Sequence, residues 1–191
     1  ERVRDSLRIH KAERSLRQHV ERLSSITAIQ QEIAAAAPDQ DSIMKLAAGR
    51  ARQLTGADGA VIELVEGDEI VFRAATGSVA AQVGKRFDVQ KNFSGLAIRT
   101  DEILRCDDAE TDSRIHSEER QAAAFRSTVV VPLRHQYNSI GALRVWSSKA
   151  GAFDDADIQT LQLVAHFMSA AINQAVAFGA KQALLAEHTR T

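Results

Sequence analysis

Two pairs of alternating segments in the middle of the chain constrain its fold more than any other feature. Apolar and polar residues alternate in "AVIELV" (60–65) and "IVFRAAT" (70–76), and again in "STVVVPL" (127–133) and "SIGALRVWSS" (139–148). A period of two is typical of half-buried strands, and short turns between such runs predict antiparallel hairpins. Helical patterns precede and follow these strands. We therefore expect an α+β domain, with helices packed on one face of an antiparallel sheet.

The first helical pattern lies ahead of the strands. Residues 1–33 contain neither Gly nor Pro, and Ile9, Leu16 and Leu23 lie seven residues apart. This spacing indicates an imperfect coiled coil. An isolated helix cannot bury such a stripe, so it needs a partner. Packing within its own domain is the alternative, and we favour a dimeric coiled coil.

Two more helices have recognisable ends. One follows "PDQD" and stops at Gly56, a residue type that commonly ends helices. The other begins at Asp155, is capped by Asp154 and runs to about Phe178, with a break at Gly179. A shorter helix is predicted in "NFSGLAIRT", with Ser94 as its cap. These assignments give a helix next to each end of the strand region.

Alternation also sorts the strand side chains onto two faces. The apolar face, which the helices should cover, carries Ile62, Leu64, Phe72, Ala74, Val129, Val131, Leu143 and Val145. The mixed face carries Glu63, Arg73, Thr128, Val130, Arg144 and Trp146. A mixed face is either wet or covered by loops that leave a pocket. Arg144 beside Trp146 suits a small anionic or planar molecule, whereas a cross-strand ion pair is an equal explanation for Glu63 and Arg73.

The stretch "RCDDAETDSR" (105–114) has three interpretations. As a metal site, Cys106, Asp108, Asp112 and His116 would offer mixed ligands for a non-haem iron. As a catalytic site, its paired acids would act as general acid and base. As a loop, its Asp and Thr side chains would bond nearby backbone amides and fix the rim of a pocket. We favour the loop, with Cys106 as a small buried apolar residue.

Composition excludes several classes of protein. The net charge of −1 provides no broad basic field for nucleic acid or an anionic membrane. A single cysteine excludes a disulfide framework and any multi-cysteine zinc site within one chain. There is no membrane-spanning apolar run and no signal peptide. We expect a cytoplasmic protein, cut from a longer polypeptide.

Four segments, taken in order, resemble the successive blocks of a GAF domain. They are "GADGAVIELVEGDEIVFRAATG", "FSGLAIRTDEILRCDDAETDSR", "RSTVVVPLRHQYNSIGALRVWSS" and "GAFDDADIQTLQLVAHFMSAAI". The resemblance covers about residues 42–178. It implies a central antiparallel sheet with a ligand cavity on one side and long helices on the other. It also implies a sensory or regulatory role, without enzymatic activity.

The resemblance implies three parts: an N-terminal signalling helix or coiled coil (1–37), a GAF domain (38–178) and a C-terminal linker (179–191). The linker would lead to a missing output domain of histidine kinase or cyclic-di-GMP type, in a homodimer joined through both terminal helices. The alternatives are a ligand-free dimerisation spacer and a nitric-oxide-type metal sensor using the Cys106 set. The residues expected to bind a small effector over the mixed face are Phe93, Asp108, Phe125, Thr128, Val130, Arg144 and Trp146.

Subfamily patterns leave the effector unknown. Cys106 is followed by Asp107, which departs from the pattern for bilin attachment, and neither bilin nor haem is expected. Members that reduce methionine sulfoxide use several cysteines. The Asn-Lys pair of cyclic-nucleotide binders is reversed here, as Lys91 and Asn92.

Overall fold

The structure, a computed structural model, describes residues 2–36 and 39–188. Two short 3-10 turns, Ala80–Gln82 and Val89–Lys91, flank the third strand. The helices and strands are, in chain order, α1 (Arg2–Ala36), α2 (Gln40–Thr55), β1 (Gly59–Glu66), β2 (Glu69–Gly77), β3 (Arg86–Asp88), α3 (Phe93–Thr100), β4 (Leu104–Cys106), α4 (Ser117–Ala123), β5 (Ser127–His135), β6 (Asn138–Ser147) and α5 (Asp155–His188).

One sheet of six strands forms the centre of the domain. Its order is β3-β2-β1-β6-β5-β4, and every neighbouring pair is antiparallel. The two predicted hairpins, β1–β2 and β5–β6, lie side by side because β1 pairs with β6. Both the α+β class and the antiparallel sheet are therefore confirmed. The short edge strand β3 was not predicted.

Helices cover one face of the sheet. α2 packs against α5, and both contact the sheet, with the end of α1 beside them. The residues of this core include Ile29, Ile43, Ala47, Ala51, Ile62, Val129, Leu143, Val145, Leu161 and Met168. None of the helices in the described ranges is long and apolar enough to cross a membrane.

The burial of the apolar side chains of α1 differs between its two ends. Ile29 is buried in the core of the domain. Leu16, Val20 and Leu23 are instead exposed, at 67%, 57% and 62%. The C-terminal end of α1 therefore packs within the domain. The exposed apolar stripe nearer its N-terminus has no partner within the described chain.

The caps of α2 and α5 match the prediction. Gly56 ends α2 with a φ of 66°, and its N–H bonds the Arg52 carbonyl. At the start of α5, the Asp154 carboxylate accepts from the Asp157 N–H, and the Asp157 carboxylate accepts from the Asp154 N–H, both at 2.9 Å. This reciprocal pair satisfies two amides of the first turn.

Two predicted helix ends were wrong. Asn92, not Ser94, caps α3, since its side-chain oxygen accepts from the Ser94 N–H at 2.8 Å. An extended backbone at Asn92 lets its short amide side chain reach forward to that N–H. α5 also continues through Gly179 to His188, because a single glycine costs a helix only about 1 kcal/mol.

A β-bulge overturns part of the predicted sorting of faces. Ile62 pairs with Ala74, but the next residue, Glu63, pairs with Phe72, which leaves Arg73 as an extra residue in β2. One extra residue reverses the alternation beyond it. Phe72 therefore packs on the mixed face, not with the helices. Arg73 is exposed and forms its ion pair with Glu66 rather than Glu63.

Candidate functional site

The mixed face of the sheet is covered, not wet. α3, α4 and the loop after β4 lie over it and enclose a second apolar cluster. Its members are Val61, Phe72, Val79, Phe93, Ala97, Leu104, Cys106, Ala109, Ile115, Phe125, Val130, Ala142 and Trp146. Inside this apolar cover lies a group of polar side chains, which we call the Arg144 cluster: Glu63, Ser94, Glu119, Thr128 and Arg144.

Arg144, on β6, is the centre of the cluster and is only 2% exposed. Its Nε donates to Thr128 Oγ1 at 3.0 Å, and that hydroxyl donates in turn to the Val145 carbonyl at 2.7 Å. Its Nη1 donates to Ser94 Oγ at 3.4 Å and to Glu119 Oε1. The guanidinium is thus held in one orientation by three elements, β5, α3 and α4.

Three aromatic side chains, which we call the aromatic cage, surround the same guanidinium. The Cζ atom of Arg144 lies 5.0 Å from the ring centroid of Phe125, 5.4 Å from that of Trp146 and 5.8 Å from that of Phe93. Phe125 also stacks on Trp146, at 6.2 Å between centroids. Cation–π contact helps to stabilise a charge that has been removed from water.

Glu119, on α4, covers the cluster from outside. One carboxylate oxygen accepts from Arg144, and the other accepts from the backbone N–H of Phe93 at 3.1 Å. Phe93 is the first residue of α3, so its N–H has no partner within the helix. The Glu119 side chain is only 9% exposed. It therefore forms a nearly buried ion pair with Arg144.

Glu63, on β1, is fully buried, and neither of its carboxylate oxygens makes a hydrogen bond of regular geometry, although the Ser94 hydroxyl lies close enough to stabilise its charged form. Burial raises its pKa from the ordinary 4.5 to about 7; the charge of Arg144 and the nearby Ser94 hydroxyl act against this shift, and the charge of Glu119 adds to it. Arg144 Nη2 is also unpartnered. Within the described residues, these three atoms are the buried side-chain oxygens and nitrogens without a partner.

A glycine lets α3 lie close enough to reach the cluster. A Cβ atom at Gly95 would lie 1.8 Å from the carbonyl oxygen of Val89, far inside van der Waals contact. Only glycine allows the start of α3 to pack against the turn that precedes it. The position of Ser94 and of the Phe93 N–H therefore depends on this one residue.

Most of the predicted ligand residues come together here. The guanidinium of Arg144 contacts four of them, Phe93, Phe125, Thr128 and Trp146. Val130 lies in the same apolar cluster.

Asp108 does not join them. Its carboxylate pairs with Arg126, at 2.9 Å from Nε and 2.7 Å from Nη2. Glu63 was predicted on the mixed face, with a cross-strand ion pair as an equal explanation. Ser94 was predicted only as a helix cap, and Glu119 was not predicted. An acid in an otherwise apolar strand was a signal for Glu63, whereas nothing in the sequence distinguishes Glu119 from Glu118.

The "RCDDAETDSR" stretch is a fixed loop, as predicted. Asp112 accepts from the Arg114 N–H at 3.0 Å and from its guanidinium at 2.9 and 2.6 Å, which holds the pKa of Asp112 at about 2. Arg114 Nη2 also donates to the Arg105 carbonyl at 2.8 Å.

Burial, with the charge of Asp112, raises the pKa of the Cys106 thiol to about 12. The described part of the chain contains no group of three or more His, Cys, Asp or Glu side chains placed to hold a metal ion.

Comparison with known proteins agrees with this architecture. A family model described as GAF domain matches residues 37–173. A GAF domain of a phosphoenolpyruvate-protein phosphotransferase from Coxiella burnetii superposes with a TM-score of 0.71 at 24% identity, covering 83% of this chain and 96% of that one. No curated protein matches the chain.

Two further solved structures differ from each other in their roles. Free methionine-R-sulfoxide reductase from Neisseria meningitidis, in complex with its substrate, gives a TM-score of 0.70 at 20% identity, over 80% of this chain and 88% of that one. Residues 122 to 287 of a methyl-accepting chemotaxis protein give 0.67 at 21% identity, over 78% and 98%. Identities this low show the fold alone, and that fold occurs in both signalling proteins and an enzyme.

Proposed function

This chain belongs to the GAF domain family, and we propose that it is a regulatory domain that senses a small molecule at the Arg144 cluster. GAF domains are generally sensory or regulatory. The similarity to part of a methyl-accepting chemotaxis protein supports a signalling context. The output domain that we propose beyond the flanking helices is a histidine kinase or a cyclic-di-GMP enzyme.

The observation that carries this proposal is the incomplete bonding of Glu63 and Arg144. Buried polar groups in folded proteins are almost always hydrogen-bonded, because an unpaired one costs about 1–3 kcal/mol and a charged one more. Here three unpaired atoms lie in one place, under a cover of two short helices. Buried polar atoms without hydrogen-bond partners in a covered site are expected where a ligand supplies the missing bonds.

The proposed mechanism uses both faces of the sheet. A ligand bound among Arg144, Thr128 and the aromatic cage changes the packing of β5 and β6. The opposite face of the same strands contacts α2 and α5. The ligand can shift these helices only as far as it binds one of their arrangements more tightly than the other.

A ligand-free spacer is the second candidate, and one observation favours it. The space over Arg144 is filled by the protein's own side chains, Phe93, Phe125 and Glu119. In that case the cluster would only fix the packing of the cover, and the flanking helices would only join two protomers.

We also propose that the chain is not an enzyme of the methionine-sulfoxide-reducing kind. Such chemistry requires a reactive thiolate. Cys106 is the single cysteine, it is buried, and its pKa is raised to about 12. A thiol of this kind remains protonated at neutral pH.

Native mass spectrometry of the freshly purified protein tests the sensor against the spacer. We expect a discrete extra mass on the wild-type protein, which Arg144→Met removes. Arg134→Met, a change at an exposed arginine on β5, should keep it. A wild-type protein without extra mass would favour the spacer.

A further inference from the structure

We propose that Glu119 occupies a built-in carboxylate site, and that the effector is a small amino acid that displaces it. In this view the ligand's carboxylate takes the place of the Glu119 carboxylate, and its ammonium group pairs with Glu63. This inference rests on the proposed sensory function and deepens it. It names the chemical class of the effector and the contact that the effector replaces.

In this structure the Glu119 carboxylate occupies the carboxylate half of the proposed site. Arg144 Nη1 and the Phe93 N–H each donate to a different oxygen of the Glu119 carboxylate. A guanidinium together with a free N–H at the start of a helix is a strong arrangement for an anion. The two donors come from strand β6 and from the start of α3, whereas the acceptor comes from α4. A free carboxylate of similar shape can accept the same two bonds.

The second half of the site is the unpaired carboxyl of Glu63. It lies in the field of Arg144 on β6 and of Glu119 on α4, with Ser94 on α3 beside it. A ligand with only a carboxylate would leave Glu63 without a partner, and a ligand with only an amine would leave Glu119 in place. A molecule with both charges satisfies Arg144 and Glu63 together and adds no net charge to a buried site.

α4 is suited to be displaced. It has seven residues, which is too short for a helix to be stable by itself. Its N-cap residue, His116, makes no side-chain cap bond, and its C-cap residue, Ala124, has a positive φ of 50°, which is uncommon for alanine. A surface cleft lies beside it, and Phe125 is among the residues that line this cleft. Phe125 belongs to the aromatic cage, so one residue that lines this cleft also contacts Arg144.

Chemical rescue tests the proposal. Glu119→Ala should empty the carboxylate site, and propionate, which carries the deleted methylene and carboxylate groups with one further carbon, should then bind and raise the melting temperature. β-Alanine, which adds an ammonium group to propionate, should bind Glu119→Ala about tenfold more tightly, because it also reaches Glu63. Adding Glu63→Gln to Glu119→Ala should remove that tenfold difference.

The matched control is Glu118→Ala, on the same helix but exposed. It should gain no stability from propionate or β-alanine. If Glu119→Ala fails to fold, Glu119→Gln keeps the packing without the charge. Because a neutral amide is displaced more easily than a carboxylate, β-alanine should bind Glu119→Gln more tightly than it binds the wild type.

Three outcomes would overturn the inference, and they differ from a failure of the proposed function. If neither compound binds any Glu119 variant, the carboxylate site is wrong. If propionate and β-alanine bind equally, the pairing of an ammonium group with Glu63 is wrong. If the wild type carries an Arg144-dependent extra mass that is not an amino acid, the ligand class is wrong while the sensor function stands.

Discussion

Glu63 should make the stability of the domain depend on pH in an unusual direction. In the unfolded chain its carboxyl titrates near 4.5, and in the folded protein near 7, with Arg144 and Glu119 as its charged neighbours. Between these values the folded state holds a proton that the unfolded state has lost. The free energy of unfolding should therefore fall as the pH rises from 4.5 to 7, by about 3 kcal/mol in all.

Glu63→Gln tests this directly because glutamine does not titrate. We expect the variant to gain stability relative to the wild type across that pH range, with most of the gain present by pH 8. Urea denaturation at a series of pH values measures it, and the difference between the two proteins removes the contributions of other groups. Parallel stability curves would show that Glu63 is already ionised in the folded protein.

Only some residues of this site could be predicted from the sequence. Arg144 and Trp146 were predicted because strand alternation places them on the mixed face. Glu119 was not, because its contact with Arg144 spans 25 positions and arises only when α4 packs on the sheet. Asp108 lies outside the Arg144 cluster because it pairs with Arg126, and no sequence pattern shows this pairing.

The packing of α3 depends on the glycine at position 95. Gly95→Ala would place a Cβ atom against the Val89 carbonyl, so α3 must shift away from the turn before it. We expect a loss of about 1–3 kcal/mol in the free energy of unfolding. Because the same shift moves Ser94 and the Phe93 N–H, the variant should also lose the extra mass carried by the wild type.

Gly49→Ala is the matched control for this change. Gly49 lies within α2, and a Cβ atom there would meet nothing within 4 Å. Alanine is a better helix former than glycine by about 1 kcal/mol, so this variant should be as stable as the wild type or more so. Urea denaturation of both variants provides the comparison. Equal stabilities would mean that α3 does not require the close approach at residue 95.

The elements differ in how far the sequence determines them. Both hairpins, α2 and the start of α5 follow from local signals: strand alternation, Gly56 and the Asp154 cap. The bulge at Arg73 and the edge strand β3 do not, because they depend on pairing with neighbouring strands. The consequence was local: Phe72 was placed on the wrong face, while the fold class was correct.

For the whole molecule, the exposed stripe on α1 predicts a dimer. No side chain among the described residues covers Leu16 and Leu23. Leu16→Lys with Leu23→Lys should give a monomer whose circular dichroism keeps the signal of the folded domain, because neither side chain contributes to its core. Gln18→Lys with Ser25→Lys adds the same charge at exposed polar positions of α1 and should remain dimeric. Analytical ultracentrifugation measures the oligomeric state of both variants. If the variant with both leucines changed is still a dimer, the dimer interface does not lie at this stripe of α1.

The central claim is that the Arg144 cluster and the flanking helices respond together. Hydrogen exchange of Glu119→Ala, compared with Glu118→Ala, measures this most directly. We predict faster exchange in α4, and also a change in α1 and α5 on the far side of the sheet, which β-alanine reverses. A change confined to α4, with α1 and α5 identical in both variants and indifferent to β-alanine, would contradict the account.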